Sequence, residues 1–284
     1  MMSIAIEPTG QACGARIKGV DLTKPLSEDE VAQIRVAWLE HHVVVFPDQS
    51  IDDDDLERFT LCFGPFGDDP FFGPIPGREH IAAICREADE TSPLFAEAFH
   101  TDWSFQENPP QGTCLRSVTI PPTGGNTLFA NQHLAYDSLP ADLKARLEGK
   151  QAIHSAKLPY SPEGAYGTAD QESGRSMDIR PSEAAFEERS HPILRDHPES
   201  GRPGVFGTLG YIVGIEGMES AEAIPLLKEL FDWQTREEFV YKHDWEADML
   251  IMWDNRSVLH AATGGYEGHA RVLHRTTIGS ASEE

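Results

Sequence analysis

The sequence predicts a mainly β fold, a β-sandwich with flanking helices. Three observations point there: short strands dominate the second half, helical periodicities fall mostly near the start, and Gly/Pro turns separate the strands. No G-x-G-x-x-G or Walker sequence argues for a doubly wound sheet. With no internal repeat, low-complexity linker or sharp break in composition, residues 1–284 read as a single domain.

Taken in order, Ser27-Glu28-Asp29-Glu30 reads as a capping box, and Val31, Ile34 and Trp38 then recur at helical spacing, which predicts a helix over 28–41. Val43-Val44-Val45-Phe46 is β-branched, short and bounded by Pro47-Asp48, so it reads as a buried strand. The acidic run from Asp52 to Asp55 suits a helix start ahead of Leu56, Phe59 and Phe63, and reads as a solvated helix end rather than a metal site. Residues 64–97, rich in Gly, Pro and Phe, read as loops around one strand at Ile81 to Cys85. Strands follow at Leu115 to Ile120 and Thr127 to Ala130, parted by the turn Pro121 to Gly125, and then a helix runs from Pro140 to Leu147. From 156 to 205 the chain is polar and irregular, with a helix only near Ser182 to Arg189; a long insertion of that kind reads as a lid. Beyond it come a helix at Ile224 to Phe231 with Pro225 near its first turn, an alternating strand at Phe239 to Trp245, and strands at Met249 to Trp253 and Arg271 to Ile278.

Composition narrows the function. Apolar residues make up 39% of the chain, which therefore folds. A net charge of −24, with no compensating Lys/Arg cluster, argues against nucleic-acid binding. The start, Met1 to Pro8, lacks the basic and long apolar segments of a secretory signal, and no apolar run approaches a membrane span, so a cytosolic protein is expected. Cys13, Cys62, Cys85 and Cys114 have no C-x-x-C spacing and read as reduced, mostly buried thiols. The expected partners are a small-molecule substrate and further copies of the chain in a dimer or tetramer.

The chemistry concentrates in two places. On a strand, His100 and Asp102 of His100-Thr101-Asp102 would point to one face, and His260 would add a second imidazole. Two histidines and a carboxylate form the facial triad that leaves positions open on Fe(II). Among twelve histidines and many aspartates such a pair also arises by chance among solvated side chains. Arg271 and Arg275 strengthen the metal reading. On the last strand they share a face with Leu273 between them, and two inward cations call for anions. The alternative is an edge strand with surface arginines or internal ion pairs.

The order H-x-D, His260, Arg271, Arg275 resembles the taurine dioxygenase/2,4-dichlorophenoxyacetate dioxygenase family of Fe(II)- and 2-oxoglutarate-dependent oxygenases. So do the segments His100 to Phe105, Gly124 to Phe129, Trp253 to Arg256, Asp21 to Leu26, His42 to Phe46 and His191 to Gly201, so that the similarity spans nearly the whole chain. The resemblance implies a double-stranded β-helix, or jelly roll. It implies iron held by His100, Asp102 and His260, and the distal carboxylate of 2-oxoglutarate held by Thr127 and Arg271. Arg275, the backbone amide of Trp103 and the ring of Phe105 match positions near the prime substrate. Fe(II), 2-oxoglutarate and O₂ are the implied cofactor and cosubstrates. The implied reaction is hydroxylation of an aliphatic C–H in a small anionic molecule (a sulfonate, aryloxyalkanoate or amino-acid-like compound) with release of succinate and CO₂. Related halogenases have a small residue at the position of Asp102, so its presence points to hydroxylation.

Two positions depart from the family. Where taurine-type relatives carry a substrate-binding histidine, this chain has Asp68 and Asp69, which would repel a sulfonate if they faced the pocket and would be solvated turn residues otherwise. Trp103 is larger than the aliphatic residue of taurine oxidisers; on a strand it would point opposite Asp102, into the core or a neighbouring wall. His154 and His274 read as structural. Two other classes compete: a metal-free β-sandwich binding protein, and a zinc hydrolase using the same three ligands, for which the paired arginines have no role and no H-E-x-x-H or G-x-S-x-G sequence speaks.

Overall fold

The structure is a computed structural model that describes residues 4–280; Met1 to Ser3, the start of the segment read as lacking a leader, lie outside the described residues. Strands β1 (Ala5–Pro8) and β2 (Ala15–Lys18) lead into α1 (Glu28–His41), β3 (Val43–Phe46), α2 (Asp53–Leu61), β4 (Ala82–Arg86), β5 (Gly112–Thr119) and β6 (Thr127–Asn131). Then come α3 (Gln132–Asp137), α4 (Ala141–Leu147), β7 (Gln151–Ser155), the short α5 (Lys157–Tyr160) and α6 (Thr168–Gln171), β8 (Glu188–Pro192), β9 (Leu194–Asp196), β10 (Pro203–Val205) and β11 (Ile212–Ile215). The chain closes with α7 (Ser220–Gln234), β12 (Val240–His243), β13 (Leu250–Asp254), β14 (Val258–Ala262) and β15 (Arg271–Ile278). It is mostly β with flanking helices, and among the described residues no helix is long and apolar enough to cross a membrane.

The largest sheet has the order β1-β2-β3-β13-β5-β15-β4, antiparallel except for the β2–β3 pair. A three-stranded antiparallel sheet, β12-β6-β14, packs on one face of it. The apolar run of β3 follows from burial on both sides. Val43 and Val45 join Leu115, Phe129, Trp253 and Val258 between the two sheets, while Val44 and Phe46 face Ile34, Trp38, Leu56 and Phe59 of α1 and α2. At about 1.5–3 kcal/mol per fully buried large apolar side chain, this double-sided packing decides the register of the sheet. Both helices begin with a reciprocal capping box, Ser27 with Glu30 and Asp52 with Asp55, each worth about 1 kcal/mol.

Three segments differ from the sequence reading. The helix near Ser182 to Arg189 is only a 3-10 turn, Glu183–Phe186, because Glu188–Pro192 is drawn into pairing with β7, from Ser155↔Glu188 to Gln151↔Pro192. Helix α7 starts at Ser220, ahead of the expected Ile224, so Pro225 lies inside it; the carbonyl that loses its partner there belongs to exposed Ala221. His100-Thr101-Asp102 is not a strand. His100 makes an isolated bridge to His260, and the chain then turns from Asp102 to Phe105, with Trp103 at φ 49°.

Candidate active site

Two strands and a turn converge on one point. His100 N donates to His260 O at 2.9 Å, and His260 N donates to His100 O at 2.7 Å, which sets the imidazoles side by side with ring centroids 4.1 Å apart. The turn brings Asp102 Oδ1 to 3.8 Å from His100 Nε2 and 3.7 Å from His260 Nε2. One ligand atom from each residue lies within 4.8 Å of the others, close enough for a single cation bonded at about 2.0–2.2 Å to gather all three after small side-chain rotations.

Supporting contacts fix these groups. His100 Nδ1 sits 3.0 Å from Ala98 O, so its N–H points there and Nε2 keeps its lone pair. Asp102 Oδ2 accepts from Thr113 Oγ1 at 2.6 Å, Thr113 accepts from Asn255 Nδ2 at 2.9 Å, and Asn255 Oδ1 accepts from Trp253 Nε1 at 2.8 Å. Thr101 points away, donating to Asn255 O at 2.6 Å. Thr113 and the internal role of Trp253 and Asn255 were not read from sequence; the Trp253-Asp254-Asn255-Arg256 segment marked the place without its function. Protonation suits a cation as well. Burial lowers His100 and pushes His260 down to about 3, keeping both imidazoles neutral. Burial alone would raise Asp102, but the Arg275 guanidinium, helped by the Thr113 hydrogen bond, outweighs it and lowers the carboxyl.

Arg271, Leu273 and Arg275 alternate along β15 and all face the cleft, while His274 turns to the other side and pairs with Asp53 at 2.7 Å. Arg271 is buried, donates through Nε to Gly125 O at 3.1 Å, and has no carboxylate partner among the described residues. Burial lowers its pKa to about 10. Gly125, at φ +65°, is required beside it, since a Cβ there would lie 3.0 Å from Arg271 Cδ. Thr127 lines the same end of the cleft, with its hydroxyl accepting from Trp245 Nε1 at 3.0 Å. A buried guanidinium without a counter-ion is a costly arrangement that an incoming carboxylate relieves.

Arg275 is different. Its Nη2 is bonded to Asp69 Oδ1, its Nη1 lies 3.6 Å from Asp102 Oδ1, and Phe72 and Trp103 cover its faces. Burial pushes the Asp69 carboxyl up, against the opposing pull of Arg275 and of Trp103 Nε1, which donates to it at 2.6 Å. Of the two aspartates, therefore, only Asp69 reaches the site; Asp68 is exposed and offers its carbonyl to Gln106. Trp103 and Phe105 stand in an aromatic wall with Phe71, Phe72, Tyr160 and Tyr211 rather than on the cleft surface itself. Trp103 is buried in the core, as expected, but from a turn and not a strand, and its indole also covers Arg275. Tyr160 and Tyr211, which the sequence reading passed over, form the neighbouring chamber with Phe95 and Tyr166, and His100 lies at its edge. Tyr160 ends the four-residue α5 and Tyr211 directly precedes β11, so no periodicity marks them.

A β fold that places two neutral imidazoles and a carboxylate together beside an unpaired buried arginine defines a mononuclear metal site with an anion subsite. The chain matches the family described as "Taurine catabolism dioxygenase TauD, TfdA family" over residues 5–277. It is 32% identical to the alpha-ketoglutarate-dependent 2,4-dichlorophenoxyacetate dioxygenase of Cupriavidus pinatubonensis, covering 97% of this chain and 98% of that one. It is 30% identical to the alpha-ketoglutarate-dependent sulfate ester dioxygenase of Pseudomonas putida, covering 98% and 90%. Among solved structures, a taurine dioxygenase from Burkholderia xenovorans superposes with a TM-score of 0.80 at 31% identity, covering 98% of this chain and 92% of that one. AAD-2 in complex with Mn(II) and N-oxalylglycine superposes with a TM-score of 0.76 at 27% identity, covering 99% of both. The chain belongs to the TauD, TfdA family. It is a 2-oxoglutarate-dependent non-haem iron dioxygenase that uses Fe(II), 2-oxoglutarate and O₂.

Proposed function

We propose that this enzyme hydroxylates an aliphatic C–H of a small organic anion, an aryloxyalkanoate, sulfonate or amino-acid-like compound. The names of its relatives support this range, since they include a 2,4-dichlorophenoxyacetate dioxygenase, a sulfate ester dioxygenase and an (S)-phenoxypropionate dioxygenase. Bound Fe(II), 2-oxoglutarate and O₂ supply the oxidant: one oxygen atom enters the substrate as hydroxyl, and the other enters succinate as CO₂ leaves. The protein's part is to hold and orient. His100, Asp102 and His260 hold iron, and the Thr113–Asn255 chain keeps Asp102 aimed at it. Thr127 and Arg271 hold the distal carboxylate of 2-oxoglutarate, and Arg275, Trp103 and Phe105 stand on the side of the prime substrate.

The single observation that carries this reading is Arg271, a buried cation with no counter-ion among the described residues, lining the same cleft as the three proposed ligands. A zinc hydrolase gives that arginine no use, and a metal-free binding protein gives none to the clustered His100, Asp102 and His260. We read the two packed sheets as a jelly roll within a single domain, and residues 156–205 as its lid. The lid reading is supported by Tyr160, Arg175 and Met177, which come from that segment and line the cleft. Anaerobic addition of Fe(II) and 2-oxoglutarate should produce a weak visible charge-transfer band, and under air succinate should form with a suitable substrate. Absence of both would overturn the assignment. Succinate release across the candidate acids then selects among them.

A further inference from the structure

We propose that Asp69 is an internal counter-anion that sets the charge requirement for the prime substrate, occupying the guanidinium of Arg275 that a substrate oxyanion would otherwise claim. This inference rests on the placement of Arg275 on the substrate side of the site. A guanidinium grips an oxyanion through a pair of parallel N–H donors. In Arg275, Nη2 is bonded to Asp69, Nη1 faces Asp102 at 3.6 Å, and only Nε is buried without a hydrogen-bond partner. Phe72 and Trp103 close over the guanidinium at 4.5 and 5.0 Å, and Trp103 Nε1 fixes the same Asp69 oxygen at 2.6 Å. The same Asp69 oxygen is thus held from two sides, by the Arg275 guanidinium and the Trp103 indole.

Counting charges shows the effect. Fe(II) and Arg271 together balance Asp102 and the two carboxylates of 2-oxoglutarate. Arg275 would then leave one positive charge in excess, the match for a monoanionic substrate, and Asp69 removes it. The other charged groups around the cleft pair among themselves, Arg86 with Glu90 at 3.5 Å and Arg175 with Asp170 at 2.6 Å. An acidic substrate therefore gains little from its charge. Its binding is carried by an apolar body in the chamber of Phe95, Tyr160, Tyr166 and Tyr211 beside His100. The substrate this selects is one with a large apolar body that need not carry a charge, rather than a compact sulfonate or amino acid, and Asp69 is the residue that makes the selection.

The test is calorimetry on the full chain loaded with Ni(II) and 2-oxoglutarate, titrated with benzenesulfonate and with uncharged benzenesulfonamide. Wild type should bind the two within about threefold of each other. Asp69→Asn should strengthen benzenesulfonate by about tenfold or more and leave the sulfonamide within about twofold, and adding Arg275→Gln should cancel the gain. A wild-type preference for the anion of about tenfold, an equal gain for both probes, or no gain would each overturn the proposal. If Asp69→Asn does not fold, the wild-type comparison alone decides. Titration of 2-oxoglutarate into the Ni(II)-loaded wild type separates the two levels: no binding there sinks the catalytic reading, whereas binding without the charge effect sinks only the role of Asp69.

Discussion

His100 and His260 exchange both of their backbone hydrogen bonds, so the two imidazoles are placed by the main chain and not only by their side-chain torsions. Metal affinity should then depend on the imidazoles themselves. His260→Ala should abolish Fe(II) binding in equilibrium dialysis. His274→Ala should retain it, because His274 lies on the opposite face of β15, bonded to Asp53. The cost of losing that bond should be about 1 kcal/mol of stability. Equal loss of iron in both variants would contradict the assignment.

The two arginines of β15 should separate by ligand. Arg271→Ala removes the unpaired cation and should weaken 2-oxoglutarate by about 100-fold, the scale of one charge-assisted bidentate contact. Arg275→Ala should leave 2-oxoglutarate affinity within about threefold, while disturbing the prime substrate and stranding the half-buried Asp69. Equal losses of 2-oxoglutarate affinity, measured by calorimetry, would refute this division.

Thr113→Val keeps the shape of the side chain but leaves Asp102 Oδ2 and the Asn255 amide without their shared partner. Fe(II) affinity should fall about 10- to 100-fold. Unchanged affinity would mean that Asp102 is oriented by packing alone.

Gly125→Ala places a methyl group 3.0 Å from Arg271 Cδ at a backbone position of φ +65°. The expected result is about tenfold weaker 2-oxoglutarate binding with Fe(II) binding retained, since the strain falls on Arg271 and not on the imidazoles. Loss of iron affinity of the same size would show that the turn supports the whole site.

Acid should destabilise the metal-free protein early. Burial holds His42, His154 and His243 at about 3, below the ordinary histidine value. Below a pH of about 6.5 the unfolded chain takes up protons that the folded one refuses. The stability these groups contribute is present above that pH and is lost as pH falls toward 3, by about 1.4 kcal/mol per pH unit for each group. Urea midpoints from pH 7 to 4 should fall, and His154→Gln should flatten the slope; a level profile would exclude this account.

Much of the fold was legible because local signals and burial agreed. The capping box at Ser27, the β-branched run Val43 to Phe46 and the shared face of Arg271 and Arg275 each carry their cause within a few residues. Strand β14, which carries His260, was not legible: Val258 to Ala262 has no alternation because it is buried almost throughout, and its pairing with β6 is set by distant contacts. Asp102 reaches its neighbours by a turn rather than by strand alternation, and a motif three residues long does not distinguish the two. Nor could the sequence choose between a solvated and a buried Asp69, because its partners, Trp103 and Arg275, come from remote segments.

The last strand made is an inner one. β15 lies between β5 and β4, pairing with β4 from Arg271 to Arg275 and with β5 from Val272 to Ile278. A chain interrupted before Arg271 would expose an open edge on β5 and leave β4 unpaired, inviting strand addition by other molecules. It would also lack both arginines. Truncated products should therefore appear as aggregates rather than as soluble, partly active protein, and a ribosome must nearly finish its work before β4 can join the largest sheet.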